Sequence, residues 1–359
     1  MASLPKPPAK ILARLREGVV IPAHPLALNR SRKLDEKRQQ ALTRYYCDAG
    51  AGGVAVGVHT TQFAIRLPEI GLYKPVLVLA KETLDAREKT APQQPLIRVA
   101  GIAGQTQQAV VEAQIAAELG YHLGLVSLSA LQNASNDELL THLKHISQHI
   151  AIMGFYLQPS VGGRRLDYAF WRRAAEIENF LAVKIAPFNR YNSLDVVRAI
   201  ADSGRSNEIS LYTGNDDNIV VDLLSTFSFT DGKASPKLRF TGGLLGHWAF
   251  WTHKAVEQLE DIKQILTKEQ PIPQRWLNLA QQITDVNQAV FDFHHQFRGC
   301  IPGIHEILRR QGLLENLLTL DQDEKLSSGQ LAEIDRVYEA YPHLNDDHFV
   351  EENLHHWLK

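Results

Sequence analysis

An α/β fold is predicted here, a (β/α)8 TIM barrel with a helical C-terminal extension. Three observations carry this. Eight short apolar runs recur along the first two-thirds of the chain. Segments with helical periodicity lie between them. Residues 266–359 are helical in pattern, and no Gly/Ser linker sets them apart.

The apolar runs are GVVIPA at 18–23, GGVAVGV at 52–58, PLIRVAGI at 95–102, LGLVSL at 123–128, IAIMGFYL at 150–157, FLAVKIAPF at 180–188, EISLYTG at 208–214 and RFTGGLLG at 239–246. Most are continuously apolar, as strands are when helices cover both faces of a parallel sheet. Each interval between them has room for a strand, a helix and two loops. Of the intervening segments, 35–50 and 106–120 end in Gly, a common helix stop. Segment 135–150 opens with Ser135 and Glu138 at capping-box spacing. Segments 167–179 and 193–204 are also helical in pattern. A doubly wound open sheet is the alternative arrangement of the same elements. The expected organisation is an N-terminal tail over 1–14, loose over the Pro- and Lys-rich residues 1–10, then a barrel over 15–265. An extension over 266–359, with helical segments at 275–293, 303–314 and 327–341, packs on the barrel.

Composition narrows the function. Across 359 residues, Lys and Arg total 38 and Asp and Glu 40, a net charge of −2. That balance excludes nucleic-acid binding by bulk positive charge and gives no polybasic signal for a membrane surface. Cys47 and Cys300, the 2 cysteines, form no CxxC pattern, which argues against a disulfide scaffold or a thiolate zinc site. No apolar stretch is long enough to span a membrane. A soluble, cytoplasmic protein is expected.

Barrel chemistry sits at the C-terminal ends of strands. There the sequence places His24, His59, Thr60, Thr61, Tyr156, Asn215, Asp216 and His247, with Lys184 inside strand 6. Lys184 lies in LAVKIAP, apolar on both sides. Burial would lower its pKa and free the amine as a nucleophile that condenses with a carbonyl. Alternatively, the lysine snorkels to the rim or pairs with an acid. Tyr156 is one strand earlier, where a phenol could reach that amine and move a proton, or could pack a loop as a rim aromatic.

These residues resemble, in order and spacing, the dihydrodipicolinate synthase and N-acetylneuraminate lyase superfamily of class I Schiff-base aldolases. In that family a strand-5 Y-x-x-P motif precedes a strand-6 lysine by nearly thirty residues. Tyr156-Leu157-Gln158-Pro159 matches the motif, and Lys184 follows. Thr213-Gly214-Asn215-Asp216 resembles the family's S/T-G-x-D motif on strand 7. The tail segment IPGIHEILRRQGLL and the LDQDEKLSSGQLAEI that follows also resemble the family, and the likeness covers roughly residues 15–340.

The resemblance implies a lyase, aldolase or hydro-lyase acting on pyruvate or a related 2-oxo acid. Lys184 would be the Schiff-base lysine and Tyr156 the proton carrier. It implies no cofactor beyond the covalent Schiff base on Lys184, and a homo-oligomer, dimer or tetramer. The family's strand-2 G-T-T-G-E loop falls on Gly57-Val58-His59-Thr60-Thr61-Gln62. Without a gap, His59 and Thr60 take the threonine places; shifted by one, Thr60 and Thr61 do. Either pair, with Asn215 and His247, is expected to bind substrate.

Two departures argue against the lysine-biosynthesis reaction. The tyrosine pair expected after strand 4 is replaced by SLSALQN, and the arginine for the second substrate's carboxylate falls on Val161, with Arg164 and Arg165 out of register. Two other readings stand beside this one. A metal-dependent barrel hydrolase or isomerase would use His24, His59, His247 and Asp216 as a mixed N/O site. A non-catalytic, aldolase-like barrel would only bind a ligand.

Overall fold

The structure, a computed structural model, describes residues 4–91, 95–229 and 236–359. Its centre is an eight-stranded parallel sheet, β1 to β8: Val20–Pro22, Gly53–Val56, Ile97–Ile102, Leu123–Val126, Ala151–Leu157, Phe180–Ala186, Ser210–Thr213 and Phe240–Leu245. Each strand from β2 to β8 pairs with the next, and β1 pairs with β8. Between β1 and β2 the ring closes through the Ala23–Ala55 bridge and the His24 N–H, which donates to the Ala55 carbonyl at 2.9 Å. The arrangement is the expected (β/α)8 barrel with a helical extension, not the open sheet. Each apolar run contains one strand.

The helices, in order, are α1 Ala9–Glu17, α2 Glu36–Asp48, α3 Tyr73–Thr90, α4 Thr106–Glu118, α5 Asn136–Ser147, α6 Tyr168–Ala174 and α7 Arg190–Ala201. They continue with α8 Ile219–Leu224, α9 Thr252–Thr267, α10 Arg275–Val290, α11 Cys300–Arg310, α12 Gln330–Ala340 and α13 Asp347–Trp357. The Ser135–Glu138 capping box forms at the start of α5: Glu138 N–H donates to Ser135 Oγ at 3.3 Å and Ser135 N–H to the Glu138 carboxylate at 2.7 Å. No helix among the described residues is long and apolar enough to cross a membrane.

Two cores follow from strand alternation. One set of side chains points into the barrel: Ile97, Val99, Leu123, Leu125, Met153, Phe155, Ala182 and Ala186 among them. The other points out against the helices and merges with the extension: Ile152, Tyr156, Phe180, Val183 and Ile185 on the middle strands.

The loose tail expected over 1–10 is corrected in part. Residues 1–3 lie outside the described residues, but α1 begins at Ala9 and seals the barrel floor with Ile11 and Leu15, both buried in the inner core. Tyr212, on β7, donates its hydroxyl to the Leu15 carbonyl at 2.9 Å. The Pro and Lys residues of this segment mask a one-sided apolar pair four positions apart, which is all a short helix needs to dock. Gly18 then turns the chain into β1 at φ 84°, where a Cβ would lie 1.8 Å from the Thr241 carbonyl oxygen.

If α1 is a structural plug, Leu15→Ala lowers stability by about 2–4 kcal/mol. Urea unfolding monitored by circular dichroism measures this, and a loss under about 0.5 kcal/mol, the range of a neutral surface change, contradicts it.

Candidate active site

Lys184 points into the barrel from the C-terminal half of β6. Pairing between β5 and β6 sets Phe155 beside Lys184 and Leu157 beside Ala186. These four share the inner face. The Lys184 side chain runs up a small chamber of about 70 Å³, lined also by Val58, His59, Thr60, Gly214 and Asp216. Its exposure is 8%, and among the described residues it makes no hydrogen bond or salt bridge. Its Nζ lies 4.5 Å from the centre of the Phe155 ring. Burial lowers its pKa from 10.5 to about 8, partly opposed by the Asp216 carboxylate.

The Thr213-Gly214-Asn215-Asp216 turn divides its work. Thr213 and Asn215 face away from the chamber and donate to the Asp222 carboxylate of α8, at 2.7 and 2.9 Å. Arg190 makes an ion pair with the same carboxylate. Gly214 makes room: a Cβ there would lie 2.7 Å from Lys184 Cε and 2.7 Å from Ala186 Cβ. Asp216 enters the chamber. Its carboxylate accepts the His247 N–H at 2.9 Å, and its backbone carbonyl accepts the Asn287 amide at 2.6 Å. Burial raises its pKa from 3.8 to about 7, with the His247 N–H and Lys184 pulling it back. A carboxyl and an amine that both titrate near neutrality are equipped to exchange and carry protons.

The strand-2 loop presents His59 and Thr60 to the chamber. Burial, and then the Lys184 charge, push the His59 pKa down to about 4, so the imidazole is neutral. Thr60 Oγ1 donates to the His24 carbonyl at 3.3 Å. Thr61 is turned away and staples the loop: its hydroxyl accepts Gly57 N–H at 2.9 Å and donates to the His24 carbonyl at 2.7 Å.

Four of the sequence expectations are therefore corrected. Tyr156 does not reach Lys184. It is fully buried between barrel and helices, its ring centre 5.5 Å from that of Trp171, and its hydroxyl accepts the Leu166 N–H at 3.2 Å. Alternation decides this, since Phe155 and Leu157 point inward and the residue between them points outward. Asn215 and Thr61 are structural braces of their turns. The His247 side chain packs against Phe250 and Trp251, at 4.9 and 6.2 Å between ring centres, and contributes only its N–H. Lys184, His59 and Thr60 line one chamber.

The four groups suggested for a metal do not converge. His24 is held by Thr43 and Gln39, at 2.8 and 2.9 Å. Among the described residues no three His, Cys, Asp or Glu side chains gather as a metal site.

Sequence reasoning gave Asp216 a place only in the metal alternative and none beside Lys184, although it stands in the quoted motif. It also missed the wall formed by Phe188, Phe291, Phe297 and Cys300, the last three lying beyond the barrel strands. Nothing in their local pattern distinguishes them from core residues. The Cys300 thiol has its pKa raised by burial, which keeps it protonated and unreactive.

The fold and this chamber define a class: (β/α)8 barrels with a buried lysine at the C-terminal mouth. No protein-family model matches the sequence, and no curated protein matches it. Solved structures do share the fold. Dihydrodipicolinate synthase from Acinetobacter baumannii, in complex with pyruvate, superposes with a TM-score of 0.71 at 16% identity over 90% of this chain and 98% of that one. The synthase from Oceanobacillus iheyensis gives 0.71 at 13% identity, over 93% and 98%. N-acetylneuraminate lyase from Fusobacterium nucleatum gives 0.67 at 16% identity, over 90% and 99%. This chain has the fold of the dihydrodipicolinate synthase and N-acetylneuraminate lyase superfamily, as the sequence resemblance implied.

If Tyr156 serves packing, Tyr156→Phe costs about 1 kcal/mol, the worth of one buried hydrogen bond. Chemical denaturation tests this.

Proposed function

We propose that this chain is a Schiff-base-forming lyase or aldolase acting on pyruvate or a related 2-oxo acid. The observation that carries the reading is Lys184, a buried amine with no hydrogen bond or ion pair among the described residues, aimed into a small chamber at the C-terminal end of the barrel. At pH 7 an amine of pKa about 8 is ~10% free base, against ~0.03% for an exposed lysine. The fold shared with pyruvate-complexed structures supports the same reading.

In this mechanism the Lys184 amine adds to the keto carbon and loses water to give the imine. The protonated imine is an electron sink. It accepts the electron pair when a carbon–carbon bond at C3 breaks, or when a C3 proton leaves before loss of a hydroxyl. Asp216, in place of a tyrosine, receives and returns protons. Thr60 and the His59 loop hold the substrate carboxylate. The neutral His59 imidazole adds a donor or acceptor without adding charge.

Incubation with pyruvate and borohydride should leave a reduced adduct on Lys184, found by peptide mass spectrometry. Lys184→Ala should abolish it, and Tyr156→Phe should form it within about twofold of the parent, an effect under ~0.5 kcal/mol. Absence of any adduct across a panel of 2-oxo acids removes the Schiff-base reading and leaves a ligand-binding barrel.

The pH dependence has a definite sign. Imine formation needs the free amine, so its rate should climb to about pH 8 and level off above it. Asp216 raises the Lys184 pKa, so Asp216→Asn should move this break to lower pH. A rate that keeps rising to pH 10 in the parent enzyme would show an ordinary exposed lysine.

A further inference from the structure

The chamber around Lys184 opens outward past Phe188, Phe291 and Phe297 into a recess of about 320 Å³ that also holds Phe293. The chamber itself, about 70 Å³, leaves little beyond room for the reacting head, so any distal group extends into the recess. Phe297 sits between two edge-to-face neighbours, its ring centre 5.7 Å from Phe188 and 5.9 Å from Phe293. An array of this kind presents ring faces and edges to a flat apolar guest.

Charge narrows the guest. Among the described residues Lys184 is the one cationic side chain lining either space, while Asp216 and Asp217 supply negative charge. A carboxylate or phosphate at the distal end would face Asp217 and no cation among these lining residues. Of the two arginines that follow strand 5, Arg164 donates to the Leu131 and Ala134 carbonyls, and Arg165 is exposed and lines neither space. The rim amides are partly engaged: Asn287 donates to the Asp216 carbonyl at 2.6 Å, Gln288 pairs with His294 at 2.7 Å, and Gln158 accepts the Ser160 N–H. Apolar atoms supply most of the surface the recess offers a guest.

The aromatic wall is held in place. Asp292, Gln296 and Phe297 adopt left-handed backbone at φ 57°, 57° and 64°. The Asp292 carboxylate fixes the segment by accepting from Gly299 N–H at 2.9 Å, from the His295 ring at 2.6 Å and from Ser327 Oγ at 2.5 Å. Unfavourable backbone of this kind persists where the surroundings over-determine it, commonly at ligand clamps.

We propose that the distal half of the substrate is an uncharged aryl group, the reaction being aldol cleavage or synthesis of a 4-aryl-4-hydroxy-2-oxobutanoate. This rests on the Schiff-base reading of Lys184. In the cleavage direction Lys184 forms the imine at C2. The C4 hydroxyl proton passes to the Asp216 carboxylate, the C3–C4 pair flows into the iminium, and the C3–C4 bond breaks to release an aryl aldehyde. The enamine takes a proton at C3, and water hydrolyses the imine to pyruvate and free lysine. No oxidant or cofactor enters.

The test compares 4-hydroxy-2-oxo acids bearing phenyl, methyl or carboxylate at C4, with pyruvate release followed by NMR. The phenyl compound should exceed both others in kcat/KM by at least about tenfold, the scale of a well-filled apolar pocket. Phe297→Ala should erode that preference mainly through KM, and Phe297→Leu should fall between. Equal or better turnover of the methyl or carboxylate compound overturns the proposal, as does a proportional loss on all three substrates in Phe297→Ala. Borohydride trapping of pyruvate separates the two failures: an adduct on Lys184 without aryl preference overturns only the aryl proposal. No adduct with any 2-oxo acid overturns both.

Discussion

Pairing of Phe155 with Lys184 across β5 and β6 is the constraint on which the site depends. Successive side chains on a strand point to opposite faces, so one paired residue fixes the phase of the whole strand. Once Lys184 points inward, Ala182 and Ala186 do as well, and Met153, Phe155 and Leu157 oppose them. The amine then lies over a phenyl ring in place of a phenol. The tyrosine belongs to the outer layer, where Trp171 and the Leu166 N–H complete its packing. The carboxyl that stands in the chamber with Lys184 comes from beyond the adjacent strand β7, at Asp216.

A lysine amine is costly to bury, and the cost shows as a lowered pKa. Three features make the placement tolerable. Gly214 leaves the volume that the side chain fills. Phe155 offers a ring face to whatever positive charge the amine keeps. Asp216 offers a negative partner whose own charge is disfavoured by the same burial, so the two groups are balanced near the point where a proton moves between them. That balance disfavours a firmly charged pair and suits chemistry in which the amine must be neutral first and protonated later.

The extension is part of the site. Phe291, Phe297, Cys300 and Ile304 close the chamber from beyond the last strand. Asn287 of α10 holds the Asp216 turn, and the Leu320 N–H reaches back to Gln62 at 2.6 Å on the strand-2 loop. The barrel strands and the loops after them supply the polar groups of the chamber, while the extension supplies much of its aromatic wall.

The sequence by itself determined the barrel, because continuous apolar runs at regular spacing leave few ways to cover a parallel sheet. It also marked Lys184, since a lysine amid LAVKIAP has no cheap place in a core. It found the α5 cap and four of the five named barrel helices nearly to their ends, α6 stopping earlier at Ala174. It gave no view of α1, whose apolar pair is hidden among Pro and Lys. Only the tertiary structure decided which of Phe155, Tyr156 and Leu157 faces the amine, which loop threonine lines the chamber, and that His247 acts through its backbone. A continuously apolar strand carries no alternation from which to read its phase. The phase is set by register against neighbouring strands, and the aromatic wall by contacts between segments more than a hundred residues apart, neither of which is encoded in any local pattern.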